Sequence, residues 1–157
     1  MTEMEIERLA KIVADNIKND SVTLAQANKL ISLVMKKAEE MGVKAVVAVS
    51  DRHSNPISIQ CMDDAYIASY DIAVNKAYTS VAIKMPTSTL KTLSQPERDL
   101  YGLQFTNQGQ IVIFGGGVPL KNSNGDIIGG LGVSGGSEEQ DTYLADYGAK
   151  VFEEELL

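Results

Sequence analysis

The apolar positions of the first segment, Ile6, Leu9, Ala10, Val13 and Ile17, recur at helical spacing with charges between them. That pattern predicts a short amphipathic helix. A polar stretch, Lys18-Asn19-Asp20-Ser21, interrupts it. Thr23-Leu24-Ala25-Gln26 then has the form of a capping box, in which Thr and Gln side chains satisfy free amides at a helix start. The helix it opens carries Ala27, Leu30, Ile31, Val34 and Ala38 on one face, and Gly42 is a suitable stop. The run Ala45-Val46-Val47-Ala48-Val49 is too short for an independent helix and rich in β-branched residues. Turn formers Ser50, Asp51, Ser54, Asn55 and Pro56 follow, and Ile57-Ser58-Ile59-Gln60 alternates. Together they predict a β-hairpin with a loop of about five residues.

Over residues 68–85 the pattern turns helical again, and Pro86 ends it. This helix is rich in small residues, among them Ala68, Ser69, Ala73, Ala77, Thr79, Ser80 and Ala82, which let a sheet or a second subunit approach closely. Residues 87–98 are polar and read as short turns of helix and loop. Strand-like stretches follow at 103–106, at 111–114 with 118–120, and at 127–133, with Asn122-Ser123-Asn124-Gly125 as a turn. A second capping box, Ser137-Glu138-Glu139-Gln140, opens a last helix carrying Tyr143, Leu144, Tyr147 and Val151. Strands are grouped rather than alternating with helices. The expected fold is therefore α+β, a meander-type, mainly antiparallel sheet of about five strands flanked by helices. Residues 1–22 form an N-terminal helix and linker, and residues 23–157 a single domain.

Composition changes this picture mainly by exclusion. Asp and Glu total 21 against 14 Lys and Arg, a net charge of −7. Such a field repels phosphate backbones and anionic lipid, so neither nucleic acid nor membrane is expected as a partner. The opening Met-Thr-Glu-Met-Glu is acidic where an export signal would be basic, and no apolar run approaches the ~18 residues of a spanning helix. A cytoplasmic protein with a reduced Cys61 is the expectation. One cysteine and one histidine exclude a zinc cluster of those residues, or an internal disulfide, built from one chain.

Most of the 13 glycines are crowded between Gly102 and Gly148, where several motifs overlap. Gly130-Leu131-Gly132-Val133-Ser134-Gly135 matches G-x-G-x-x-G, but a dinucleotide site needs a second parallel strand bearing an acid ~20 residues on, and only a helix remains. Gly132-Val133-Ser134-Gly135-Gly136 matches G-x-S-x-G, yet the only histidine, His53, lies upstream in a turn, which removes serine-hydrolase chemistry. No glycine run is followed by Lys-Ser or Lys-Thr, so there is no P-loop. Gly115-Gly116-Gly117-Val118-Pro119 either lays backbone against a ligand or partner, or makes a bulge or tight bend. The remaining polar candidates are Asp63, Asp64, Asp71, Lys76 and Asp141. Asp71 and Asp141 suit helix starts, and Lys76 is either an ion-paired or solvated lysine or a contact to an acidic ligand.

Several segments together resemble one family. They are Val46-Val47-Ala48-Val49-Ser50-Asp51, Met62-Asp63-Asp64-Ala65, Ser69-Tyr70-Asp71-Ile72-Ala73 with Lys76-Ala77 and Thr79, Pro86-Thr87, and Tyr101-Gly102-Leu103. Gly115-Gly116-Gly117-Val118-Pro119-Leu120 follows, then the Gly129–Gly136 run with Gln140-Asp141. Over residues 23–149 the chain resembles the GlcG/HbpS-like haem-binding family, which includes the C-terminal domain of PduO-type corrinoid adenosyltransferases. The resemblance implies a profilin-like sandwich assembling into homodimers and up to octamers, with haem, ahead of a corrinoid, as cofactor. It implies a gene context of glycolate, diol or ethanolamine utilisation.

Two departures stand out. Cys61 replaces the family's usual Arg, and Asp64 the Gly after Asp63. The haem-ligating histidine of some relatives also has no counterpart between Thr23 and Gly42. The resemblance then implies that a bound iron either draws its ligand from another residue, such as a Met, a Tyr, Cys61 or His53, or stays weakly held.

The expected site combines Gly115, Gly116, Gly117 and Pro119 with Asp71, Lys76, Thr79 and Ser134, and the expected role is that of a tetrapyrrole carrier or sensor. The alternatives are an accessory enzyme on small hydroxy-acid or diol-derived metabolites, with Lys76 and Asp71 as acid and base, or a structural component of a bacterial microcompartment. In the last case the first helix resembles an encapsulation peptide that docks on the shell. A helix packed on the domain or between copies is the other reading of that segment.

Overall fold

The computed structural model describes residues 1–18 and 20–157, and the backbone alone over 15–18. Asn19 of the expected linker and the Ile17 side chain of the first apolar stripe lie outside the described residues. The chain forms helix α1 (Glu3–Lys18), α2 (Leu24–Glu40), strands β1 (Val46–Asp51) and β2 (Pro56–Cys61), α3 (Ser69–Ala82), α4 (Thr87–Leu93), β3 (Gly117–Lys121), β4 (Ile127–Ser134) and α5 (Glu138–Val151). A single π-helical turn, Phe152–Leu156, closes it.

Both expected capping boxes are present. The Thr23 hydroxyl accepts from the Gln26 amide while Gln26 accepts from the Thr23 amide, and Ser137 and Gln140 repeat the exchange at α5. The β1–β2 turn is fixed by Asp51, whose carboxylate accepts from the backbone amides of His53 and Asn55 at 2.8 and 2.9 Å. Burial works to raise the Asp51 pKa, but the hydrogen bond from the Asn55 side chain, followed by these two backbone bonds, outweighs it and holds the group below its ordinary value.

The sheet is antiparallel throughout, in the order β2-β1-β4-β3. It is thus two hairpins joined through their inner strands rather than a meander, and it has four strands rather than about five. Segment 103–106 contains a 3₁₀ turn, Leu103–Phe105, followed by a second at Asn107–Gly109. Left-handed backbone at Gly102, Asn107, Gln108 and Gly109 coils this region and prevents pairing. Residues 111–114 have no sheet partner either. The third helix ends at Ala82, short of the expected 85, because Lys84 turns to φ +60° ahead of Pro86.

The alternation of β1 and β4 explains the layering. Val47, Val49, Leu131 and Val133 face α2 and α5 and build the main core with Leu30, Ile31, Val34, Leu144, Ala145 and Phe152. Val46 and Ala48 face α3, against Ala73. With both faces covered, β1 reads as an unbroken apolar run. On β4 the α3 side is made of glycines: a Cβ at Gly130 would lie 2.5 Å from the Ala77 carbonyl oxygen, and one at Gly132 would strike the Ala73 carbonyl. The small-residue helix is therefore matched to a glycine strand of its own chain. Pro119 pairs with Gly130 on the edge strand β3, a place in a sheet where proline is tolerated. By contrast, the described side chains of α1 add nothing to the core, and Ile6, Leu9, Ile12 and Val13 stay about half exposed.

Candidate functional site

The first turn of α3, the end of β4 and the start of α5 converge beside the glycine loop that precedes β3. At their centre the Lys76 side chain is fully buried. Its Nζ donates to the Val133 carbonyl at 2.8 Å and to Asp141 Oδ2 at 2.9 Å, and it lies 5.1 Å from the Phe114 ring centroid. Asp141, 4% exposed, uses its other oxygen to accept the Gly136 amide at 2.9 Å. Burial is the largest influence on Lys76 and pulls its pKa below the ordinary amine value, and the Asp141 charge and hydrogen bond oppose it. The pair joins α3 to α5 and β4 with every ionic atom occupied.

The three glycines close around this pair. Gly116 has φ +113°, and a Cβ there would lie 2.6 Å from Lys76 Nζ and 2.7 Å from the Val133 carbonyl oxygen. Its own carbonyl accepts from the Val133 amide at 2.8 Å. A side chain at Gly115 would strike Thr142, and its amide donates to Glu138 Oε1 at 3.1 Å. Glu138 in turn binds Lys91 at 2.5 Å; that hydrogen bond, followed by the one from Gly115, holds its carboxyl below the usual glutamate range. Gly117 donates to Thr87 Oγ1 at 2.9 Å, and a Cβ there would lie 2.6 Å from the Lys76 carbonyl. Their close approach is to α3, α4 and α5 of the same chain.

A cleft of about 330 Å³ opens above the pair, lined among others by Tyr66, Ser69, Ile72, Phe114, Ser134 and Asp141. Ser134 donates to Ser69 at 3.0 Å, and both are buried. The expected site residues are thus only partly brought together. Lys76, Gly116 and Ser134 meet here, and Gly115 lies alongside. Thr79 instead bonds the Asn75 carbonyl and the Val112 amide, pinning the 110–112 segment. Pro119 is buried in the sheet. Asp71 sits exposed on the outer face of α3, and the partner of Lys76 is Asp141, so the Lys76–Asp71 acid/base pairing is not formed.

Sequence reasoning set Asp141 aside as a favourable helix-start carboxylate. The signal that marks it is its place on the buried α5 stripe Asp141, Leu144, Ala145 and Gly148. Lys76 likewise lies on the α3 stripe with Ala73, Ala77 and Ser80. Ser69 opens that same stripe, whereas Phe114 carried no such signal. Among the described residues no cluster of three His, Cys, Asp or Glu side chains is arranged to hold a metal ion, and no helix is long and apolar enough to cross a membrane.

Comparison with known proteins bears on the family and the fold. A 15.0 kDa protein of the dhaT-dhaS intergenic region of Citrobacter freundii is 46% identical over 134 residues, 85% of this chain and 94% of its own. The corrinoid adenosyltransferase PduO of the same organism is 38% identical over 126 residues, 80% of this chain, but the match spans only 37% of that enzyme. A solved PduOC:haem complex superposes with a TM-score of 0.79 at 37% identity, covering 83% of this chain and 94% of that one. The family model of the haem degrading protein HbpS-like proteins matches residues 22–150, from the Val22 that enters the core to the last turn of α5. The chain belongs to the HbpS-like family.

Proposed function

We propose that this chain is an oligomeric haem-binding protein, a carrier or sensor working alongside corrinoid-dependent diol, ethanolamine or glycolate utilisation. The observation that carries the reading is the likeness to the PduOC:haem complex, which runs over nearly the whole of that structure. The packing around Lys76 bears on where a macrocycle fits. Its ammonium is saturated by a carbonyl, a carboxylate and an aromatic face, and the cleft above it suits a group far smaller than a tetrapyrrole. Lys76 and Gly116 then act as positioning residues of the fold, and haem binds on an outer surface. Titrating haemin into the purified protein is expected to give a saturable Soret shift, with cobalamin giving none under the same conditions. A linear response equal to that of haemin in buffer refutes the reading.

The exposed stripe of α1 favours a second role for that helix. Ile6, Leu9 and Val13 form an apolar row on a helix whose other positions are largely charged, the arrangement by which helices lie in grooves. A bacterial microcompartment shell is the proposed partner. Removing residues 1–19 is expected to abolish co-purification with shells while light scattering shows the same oligomer. Collapse of the oligomer would place α1 between copies of the chain instead.

A further inference from the structure

We infer that the cleft above Lys76 is a binding site for a short, uncharged alcohol or carbonyl compound. This site does not depend on the haem-binding reading. Tyr66, Ala68, Ile72 and Phe114 give the cleft apolar walls, and its buried end carries two hydroxyls, Ser69 and Ser134, only 3% and 5% exposed. A few convergent polar groups among aromatic and aliphatic walls are the usual form of a small-molecule site. At about 330 Å³ the cleft lies at the lower end of the roughly 300–1,000 Å³ that such sites span, so its occupant is small.

The hydroxyl pair is what points to a ligand. Two hydroxyls carry two protons, and the single hydrogen bond between them, 3.0 Å long, uses one. Neither oxygen makes another hydrogen bond among the described residues. One O–H donor is therefore left over in a buried place, where an unused donor costs free energy. The two carboxylates at the border are already engaged. Asp141 accepts from Lys76 and from the Gly136 amide, and Glu138 from Lys91 and from the Gly115 amide. A ligand oxygen entering the cleft accepts the spare proton, and an alcohol can donate its own back to the pair.

Charge decides the class of molecule. Each acid of the lining has its own lysine, so the cleft offers no unpaired charge. An anionic ligand would meet Asp141 and Glu138 with no free cation to receive it. An ammonium would find both acids spent and the Lys76 charge close by, 5.1 Å from the centroid of the Phe114 ring. An uncharged molecule avoids the cost of burying an unpaired charge. Its hydrocarbon end gains by covering Phe114, Tyr66 and Ile72.

The test is a titration of the full chain, followed by NMR at the backbone amides of Ser69, Ser134, Gly135 and Gly136. The probes are 1-butanol, 2-butanone, butyrate and butylammonium, alike in carbon count and different in charge. The two neutral probes are expected to shift these amides to saturation, and the two ions to leave them in place at the same concentrations. Ser69→Ala is expected to weaken 1-butanol binding about threefold to tenfold, the worth of one hydrogen bond. Ala68→Phe fills the cleft from an exposed position and should abolish the shifts while the rest of the spectrum stays folded. Binding of either ion as tight as that of 1-butanol overturns the uncharged class. Unchanged affinity in Ser69→Ala overturns the role of the hydroxyl pair. Shifts that survive Ala68→Phe, or no saturable shift from either neutral probe, overturn the site itself.

Discussion

Lys76→Ala and Asp141→Ala are each expected to destabilise the protein by about 3–5 kcal/mol, the cost of leaving one charge of a buried pair without its partner. The pair is 0% and 6% exposed at the side chain, so water does not screen the remaining charge. Removing Lys76 also releases the Val133 carbonyl and vacates the space beneath the Phe114 ring. Removing Asp141 strands the Gly136 amide as well as the ammonium. Replacing both together, as Lys76→Met with Asp141→Leu, should recover most of the loss, because an apolar pair needs no desolvation. The measurement is urea unfolding at neutral pH, read as a double-mutant cycle. Single variants that lose less than about 1 kcal/mol would mean the pair is hydrated and the centre of the fold is not the dry contact described here.

That pair also shows what the sequence discloses and what it withholds. The helices and the hairpins are legible because each declares itself locally. Thr23 with Gln26 and Ser137 with Gln140 mark helix starts, and the run at residues 45–49 marks a strand covered on both sides. A charged residue on an apolar stripe is legible too, at Lys76 and again at Asp141. That the two satisfy each other is not, since 65 residues separate them and the sheet order brings them together. Residues 103–114 mislead for the opposite reason. Their apolar content resembles strands, while positive φ at the non-glycine residues Asn107 and Gln108 follows from packing that no local pattern states. Thr79, read as a ligand contact, is spent holding this very segment.

The glycine-rich runs were the strongest apparent site in the sequence, and the structure turns nearly all of them inward. Gly115, Gly116 and Gly117 admit Thr142, Lys76 and Thr87, while Gly130 and Gly132 admit the backbone of α3. A family signature made of such residues specifies the fold strongly and the ligand weakly. In this chain the surfaces that the glycines do not form include the hairpin turns, the α2–β2 groove and the N-terminal helix. Cys61, His53 and α1 all occupy such places.

Gly132→Ala tests how completely that glycine strand is committed. A methyl group there meets the Ala73 carbonyl oxygen and, at 2.7 Å, the Ala77 amide nitrogen. Both obstacles are helical backbone, so no side-chain rotation relieves the contact, and α3 must move away from β4 along much of its length. Overpacking in a core typically costs about 1–3 kcal/mol, and a backbone obstacle puts this site at the upper end, near ~3 kcal/mol. The same shift drags Lys76, one turn along α3, away from Val133 and Asp141, so the variant should also weaken the buried ion pair. Adding Ala73→Gly should not restore stability, because it removes a methyl group and leaves the carbonyl where it was. Urea unfolding of the single and double variants decides the matter. Recovery on trimming Ala73 would show that side-chain bulk, rather than the closeness of helix and strand backbones, sets the spacing of α3 and β4.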